Sequence, residues 1–475
     1  MKRIVLCSVA LGALVASALP QVSNVKVSYS TPSRVEISYD LTGGPAIVTL
    51  DVMTNASQWT SIGVDALYGT NAVPGISGDV FRRVSGDTRH TIVWNAFDAW
   101  GTAGGRFTPG ELKFEVKAFP YANSPDYLVT DLRAGVAAAD RVKYYPSEDF
   151  LPGGLLSNAA YRTTHLVLRR IHARNVRWTM GATVGKQPVG SLTEFRAHFE
   201  PKETVAGVKD AEAAHRVTMP NDYYVGVFEI TQAQWTHVTG VNVAYYRNAP
   251  ESPMRPVERV GYARLRATAF NTDEESVPDD TSAYDWPNAP HPDSFLGKLR
   301  ALTDNAIDFD LPGDTEWEFA CRAGLPEGYW NDGTDARELA NMPGRNKENG
   351  GFLPGGTAYP QVPDLGPTNA TAVCGSYPPN RWGLYDMHGN VQEICLDWFS
   401  ATFVAAGYNI SKTNPAKMSN GGTSTLRCRR GGSFILPSFD PTAAGDCRAS
   451  SRTGVSPKAA WVNLGGRVAC RAGLK

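Results

Sequence analysis

The sequence predicts an α+β chain in two parts: an N-terminal immunoglobulin-like β-sandwich, then a larger domain with low regular secondary structure. Three observations carry the prediction. The early chain alternates apolar and polar residues with period two, the signature of strands with one buried face. With 46 Gly, 32 Pro, 11 Trp and 19 Tyr, the composition favours short elements joined by turns, with aromatic side chains supplying much of the burial. Long periodic segments are few, and the clearest helical periodicity lies in two short segments of the second part.

In chain order, residues 1–18 read as a signal peptide. Lys2 and Arg3 give the basic start, Ile4 to Val15 the apolar run, and Ala16-Ser17-Ala18 the small-x-small cleavage pattern. The expectation is export to a periplasm or to the outside, and no later segment is long and apolar enough to span a bilayer. Residues 22–120 form the expected sandwich: Val25, Val27 and Tyr29; Val35, Ile37, Tyr39 and Leu41; Val48, Leu50 and Val52; and Leu112, Phe114, Val116 and Ala118 alternate with polar neighbours. No catalytic cluster occurs there, which leaves spacing, docking, adhesion or a purely structural role. Residues 121–160, punctuated by Pro125, Pro146, Pro152 and Gly153-Gly154, read as a linker before the domain at 161–475. In that domain Thr231 caps a helix running to Val238, with Trp235 on its inner face. A second helix opens at Asp314 as the cap, with Trp317, Phe319 and Ala320 facing inward, and the polar stretch Asn271–Asp293 reads as a surface insertion.

Charge and cysteines bound the function. With 46 basic against 47 acidic residues, the chain has no general electrostatic reason to bind nucleic acid. Beyond Cys7, six cysteines remain: Cys321, Cys374, Cys395, Cys428, Cys447 and Cys470. An even number in an exported chain favours disulfides over metal thiolates, and no C-x-x-C pair occurs; the connectivity stays open.

Several collinear segments then resemble one family. They are Trp178-Thr179-Met180-Gly181, His215-Arg216-Val217-Thr218, the run YYVGVFEIT from Tyr223, Pro256-Val257-Glu258-Arg259-Val260 and LPGDTEWEFACRAG from Leu311. NRWGLYDMHGNVQEICLDW from Asn380, Arg430-Gly431-Gly432-Ser433-Phe434 and Asn463-Leu464-Gly465-Gly466-Arg467 complete the series. In this order they resemble the formylglycine-generating enzyme, or sulfatase-modifying factor, family. The resemblance implies a C-type-lectin-like fold for the second domain and is silent about residues 22–150.

The resemblance also implies sites. The family's calcium position falls on Asp386, the carbonyls of Gly389 and Val391, and Glu393, an oxygen-rich turn of the kind calcium takes. The same residues admit a second reading, in which Asp386 caps a turn and Glu393 pairs with an arginine. A further family calcium site at Asn341 is not expected, because the following segment diverges. A disulfide is implied between Cys321 and Cys447. The family oxidises a substrate cysteine with copper held by two thiols just beyond R-G-G-S, and here the corresponding positions hold Leu436 and Pro441. Gln392 replaces a family tryptophan, so Ser433 is the one retained candidate of the catalytic pocket. Iron-dependent relatives carry histidines in a separate helical domain that this chain lacks, and His388 reads as a surface or packing histidine. Neither copper nor iron is therefore expected. Two readings stay open: an exported scaffold binding a protein, peptide or glycan, with Phe439, Asp440 and Trp461 on the candidate surface, and an oxidoreductase with an altered site acting on an exported protein or peptide.

Overall fold

The computed structural model describes residues 19–31, 33–55, 58–68, 75–104, 111–181, 215–278, 281–324, 344–345, 352–353, 357–358, 370–399, 425–434 and 447–471. The export segment 1–18, Asn341, Leu436, Phe439, Asp440 and Pro441 lie outside these residues. The chain divides into two compact units, Met1–Tyr121 and Ala122–Lys475.

The first unit is built from antiparallel sheets. Its strands are β1 (Gln21–Thr31), β2 (Arg34–Thr42), β3 (Ala46–Asn55), β4 (Trp59–Ser61), β5 (Ile76–Gly78), β6 (Arg82–Val84), β7 (Thr88–Asn95) and β8 (Leu112–Phe119). One sheet has the order β1-β2-β7-β5, and the other β4-β3-β6 with β8 also on β3. The alternation reads out directly in β2, where Val35, Ile37, Tyr39 and Leu41 are fully buried. It fails in β1, an edge strand whose Val25 is 41 % exposed, because an edge has a neighbour on one side only. Two helices, Val64–Tyr68 and Ala96–Gly104, sit between strands where none was expected. The indole of Trp94 in β7 donates to the carbonyl of Ala66 in the first of them.

The second unit starts earlier than the sequence indicates. Residues 122–160, read as a linker, belong to it: β9 (Tyr127–Asp131) and β10 (Val142–Tyr145) pair with each other and, through β9, with β11 (His165–Ile171). Every residue of β9 is buried. Such a strand lacks the alternation of a half-exposed one, and the prolines around it read as a linker. β11 continues to β14 (Tyr223–Gly226) and β21 (Ala469–Arg471), so the sheet joins the start of the unit to its end. β12 (Arg177–Met180) and β13 (His215–Thr218) pair antiparallel, as do β15 (Phe352–Leu353) and β16 (Thr357–Ala358). A second sheet has the order β19-β18-β17-β20, from β17 (Gln392–Trp398), β18 (Arg427–Arg430), β19 (Thr453–Val455) and β20 (Leu464–Gly465).

The helix Gln232–Thr239 carries the expected Thr231 cap, closed into a capping box by Gln234, and ends at Gly240 with φ 85°. Trp235 stacks on Phe295 with ring centroids 5.0 Å apart. The helix Asp314–Arg322 differs from expectation: Gly313 is its cap and Asp314 its first helical residue. Glu316 accepts from the Gly313 backbone N–H, while the Asp314 carboxylate is spent on ion pairs described below. The stretch Asn271–Asp293 is more than a surface insertion. Its Asp285 is 8 % exposed and accepts from Arg427 and the Trp398 indole, anchoring the stretch to β17 and β18.

Candidate functional site

The turn before β17 builds the site. Asp386 (φ 57°), Gly389 (φ 95°) and Asn390 (φ 61°) all take the left-handed conformation. A Cβ on Gly389 would lie 2.3 Å from the Arg345 carbonyl, so this position admits glycine alone. The turn sends Asp386 and Asn390 inward, where both are at most 1 % exposed.

There they meet Glu229, which lies just past β14 and is fully buried. Its Oε1 accepts from the Val391 N–H at 3.0 Å and its Oε2 from the Asn390 amide at 2.6 Å. The Cys374 thiol donates to the same Oε2 at 3.6 Å. Asp386 Oδ2 accepts from the Gly375 N–H at 2.7 Å, whereas Asp386 Oδ1 is buried without a hydrogen-bond partner. One ligand atom from each of Glu229, Cys374 and Asp386 lies within 4.8 Å of the others.

Glu393 completes the acidic cluster but is differently occupied. Arg467 donates to both of its oxygens at 2.7–3.1 Å, and the Trp317 indole donates to Oε2 at 2.7 Å. Arg467 also donates to the carbonyls of Gly226, Val227 and Tyr385. Of the two sequence readings for Glu393, the structure realises the arginine pair. A cation at that carboxylate would face the guanidinium, so the donor set Asp386–Gly389–Val391–Glu393 does not fit calcium as it stands. The carboxylate beside Asp386 that takes its hydrogen bonds from Val391, Asn390 and Cys374 and not from Arg467 is Glu229. It lies in the YYVGVFEIT run, whose motif character was legible although its reach to the turn was not.

Electrostatics follow from the count: three buried carboxylates face the one guanidinium of Arg467. Burial pushes Glu229 well above the usual carboxylate range, and Asp386 and Glu393 add like-charge repulsion. Asp386 is pushed up to about 6, again chiefly by burial. The Cys374 thiol is raised by burial and then by the Glu229 and Asp386 charges. Among nearby guanidiniums, Arg162 donates to the carbonyls of Cys374 and Leu156 rather than to an acid.

A second buried network holds the RRGGSF segment. Arg430 pairs with Asp314 and, at 3.0 Å, with Glu318. Arg452 reaches Asp314 at 2.7 Å and Arg322 reaches Glu318 at 2.7 Å. Burial raises the Asp314 pKa, but Arg430 and Arg452 outweigh it and hold the carboxyl at about 2. Gly431 follows with φ 85°, the Trp317 ring packed 3.2 Å from where a Cβ would sit. Ser433, 4 % exposed, accepts from the Asn463 amide at 3.0 Å. Gln392 accepts from Arg429, whose guanidinium lies 5.2 Å over the Trp461 ring.

The six cysteines are buried and no disulfide joins them, so the bond expected between Cys321 and Cys447 is not formed here. The His388 ring intervenes: Nε2 is 3.6 Å from Cys321 Sγ, and Nδ1 donates to the Cys447 carbonyl at 2.7 Å. Burial pulls His388 down to about 4, so it is a neutral packing histidine.

Phe434, fully buried, packs edge-on against Tyr246, which touches Tyr245, and Tyr245 and Trp461 are 61 % and 41 % exposed. The buried carboxylate of Glu258 holds the Tyr245 and Tyr246 backbone N–H groups at 2.9 and 2.8 Å, and Arg259 donates its N–H to the Trp461 carbonyl.

Residues 183–472 match the family model described as a sulfatase-modifying factor enzyme 1-like domain. The formylglycine-generating enzyme of Streptomyces coelicolor is 32 % identical over 34 % of this chain and 47 % of its own length. The inactive C-alpha-formylglycine-generating enzyme 2 of Mus musculus is 34 % identical over 34 % of this chain and 43 % of its own length. This chain thus spans less than half the length of either relative. Among solved structures, Treponema denticola variable protein 1 aligns with 65 % of this chain and 96 % of its own, at 20 % identity and a TM-score of 0.42.

Proposed function

Because the chain belongs to the sulfatase-modifying factor enzyme 1-like family, we propose that it is an exported, non-catalytic member that uses the family scaffold to bind a protein, peptide or glycan. One observation carries the reading. The family-like residues it retains are spent on the fold: Arg430 on Asp314 and Glu318, Arg467 on Glu393, Glu229 on Val391 and Asn390. The positions where copper chemistry needs thiols hold Leu436 and Pro441. A cuprous site requires accessible thiolates at close range, and burial pushes the Cys321, Cys374 and Cys395 thiols upward, away from that form. A mouse relative described as inactive is in keeping with this reading.

The binding face in this proposal is formed by Tyr245, Tyr246 and Trp461, with the buried Phe434 ring packed under Tyr246. Aromatic rings with polar handles supply apolar contact area for peptides and stacking platforms for sugars. Glu258 fixes the Tyr245 loop from below. The immunoglobulin-like reading of the first unit, as a spacer or docking module, belongs to the same proposal, as does export through residues 1–18.

A structural calcium belongs to it as well, held by Asp386 and the carbonyls of Gly389 and Val391, with Glu229 in place of Glu393. The partnerless Asp386 Oδ1 and the excess of carboxylates over guanidinium support it. Calcium would supply the missing positive charge in the core. Cys374, protonated and bonded to Glu229, is then a neighbour and not a ligand.

The test is a copper(I) titration of the reduced protein, with oxygen uptake and aldehyde formation followed on a cysteine-containing peptide. The expected result is no copper-dependent aldehyde. Tight copper(I) binding together with aldehyde formation overturns the proposal in favour of an oxidoreductase.

A further inference from the structure

The pairing of β17 with β18 brings two thiols face to face. Glu393 is registered against Arg430 and Ile394 against Arg429, and Cys395 and Cys428 are the next residue on each strand, where the register shifts before Trp398 pairs with Arg427. Both side chains are fully buried, and the two thiols share a hydrogen bond. Paired residues of an antiparallel ladder have Cα atoms about 4.5–5.5 Å apart, inside the range of about 4.4–6.8 Å that a disulfide spans, and Cys395 and Cys428 follow immediately on the Ile394–Arg429 pair. The other sulfurs with described partners are turned elsewhere: Cys321 toward His388 and the Met387 carbonyl, Cys374 toward Glu229.

We propose that Cys395 and Cys428 are a modification site, joined as a cross-strand disulfide when the chain folds in the presence of a thiol-oxidising partner or small-molecule disulfide. Little rearrangement is needed, because the two thiols already lie within hydrogen-bond reach of each other. Closing the S–S bond takes two electrons and two protons from the thiols. A donor disulfide receives them and leaves as two thiols. Burial protects the pair in the folded state, so exchange takes place while β18 docks on β17 and the sulfurs are still reachable.

The surroundings tolerate oxidation. The Cys428 thiol donates to Asp314 Oδ1 at 3.2 Å and loses that proton on bonding. Asp314 remains compensated by Arg430 and Arg452. The bond would tie together the strand carrying Glu393 and the strand carrying Arg430, and so stabilise both buried ion networks at once. This inference is independent of the binding proposal, which neither requires nor forbids it.

The experiment is refolding of the full chain in a buffer of oxidised and reduced glutathione. Free thiols are then alkylated in denaturant and peptides mapped by mass without reduction. The expected result is a linked pair of peptides containing Cys395 and Cys428, and, in C428S, a Cys395 that becomes alkylated. Alkylation of both Cys395 and Cys428 in the wild type, or linkage of either to another cysteine, overturns it. Folding defects are controlled by comparing melting temperatures with and without reductant. The wild type is expected to lose several degrees on reduction and the double variant C395A/C428V none; equal sensitivity of the two also overturns the proposal.

Discussion

The Arg467 guanidinium grips both carboxylate oxygens of Glu393 at 2.7–3.1 Å, with both side chains fully buried. The pair joins the end of the chain to the first strand after the turn, and Arg467 extends the tie to β14 through the Gly226 carbonyl. A buried pair of this kind contributes little relative to an apolar replacement of both partners. Removing one partner strands a charge and is costly.

Arg467→Met is therefore expected to destabilise the second unit by about 3–5 kcal/mol, because Glu393 and three carbonyls lose their donors. Chemical denaturation curves measure it. Adding Glu393→Gln to the same chain should recover part of the loss; an additive loss would place the cost in the carbonyl contacts.

The acidic cluster predicts an unusual pH dependence. Asp386 is raised in the fold to about 6 from an ordinary 3.8. The folded state thus binds its proton more tightly than the unfolded chain does, and without a cation stability falls as pH rises from about 4 to about 6. Asp314, depressed to about 2, acts in the opposite sense and costs stability only as pH drops below about 4. Asp386→Asn keeps an acceptor for the Gly375 N–H and should flatten the upper window. Denaturant midpoints at pH 4, 5 and 6 read the slope.

Calcium is expected to raise the melting temperature of chelator-treated protein at neutral pH. At a hundredfold excess over its dissociation constant the gain is about 2.7 kcal/mol. Asp386→Asn and Glu229→Gln should each abolish the shift. A shift with zinc and none with calcium would bring Cys374 in as a ligand and reject the oxygen-only site.

Trp461→Ala should weaken binding of a captured peptide or glycan by about 1–3 kcal/mol with little change in melting temperature, since the ring is 41 % exposed. Glu258→Ala should weaken the same binding indirectly, by releasing the Tyr245 loop. Titration of ligand against indole fluorescence checks the first, and calorimetry the second.

Local chemistry was legible wherever the chain answers to its near neighbours. Thr231 and Gln234 form a capping box because the two lie one helical turn apart. Val35 to Leu41 show their buried face because β2 is packed on one side. The reading stopped where residues answer to distant ones. Asp314 looks like a cap until Arg430 and Arg452 arrive from more than a hundred positions away. The fully buried β9 loses the alternation that would have marked it as a strand instead of a linker.

The sequence by itself determined the family scaffold and the turn at Asp386. Each of these rests on residue identity and local spacing. Tertiary structure alone decided that Glu393 belongs to Arg467, that Glu229 stands beside Asp386, and that the Cys395 and Cys428 thiols meet. Identity fixes what a carboxylate or a thiol can do. Which partner it meets is set by strand register and by burial, where each buried charge must find its counterpart across the chain.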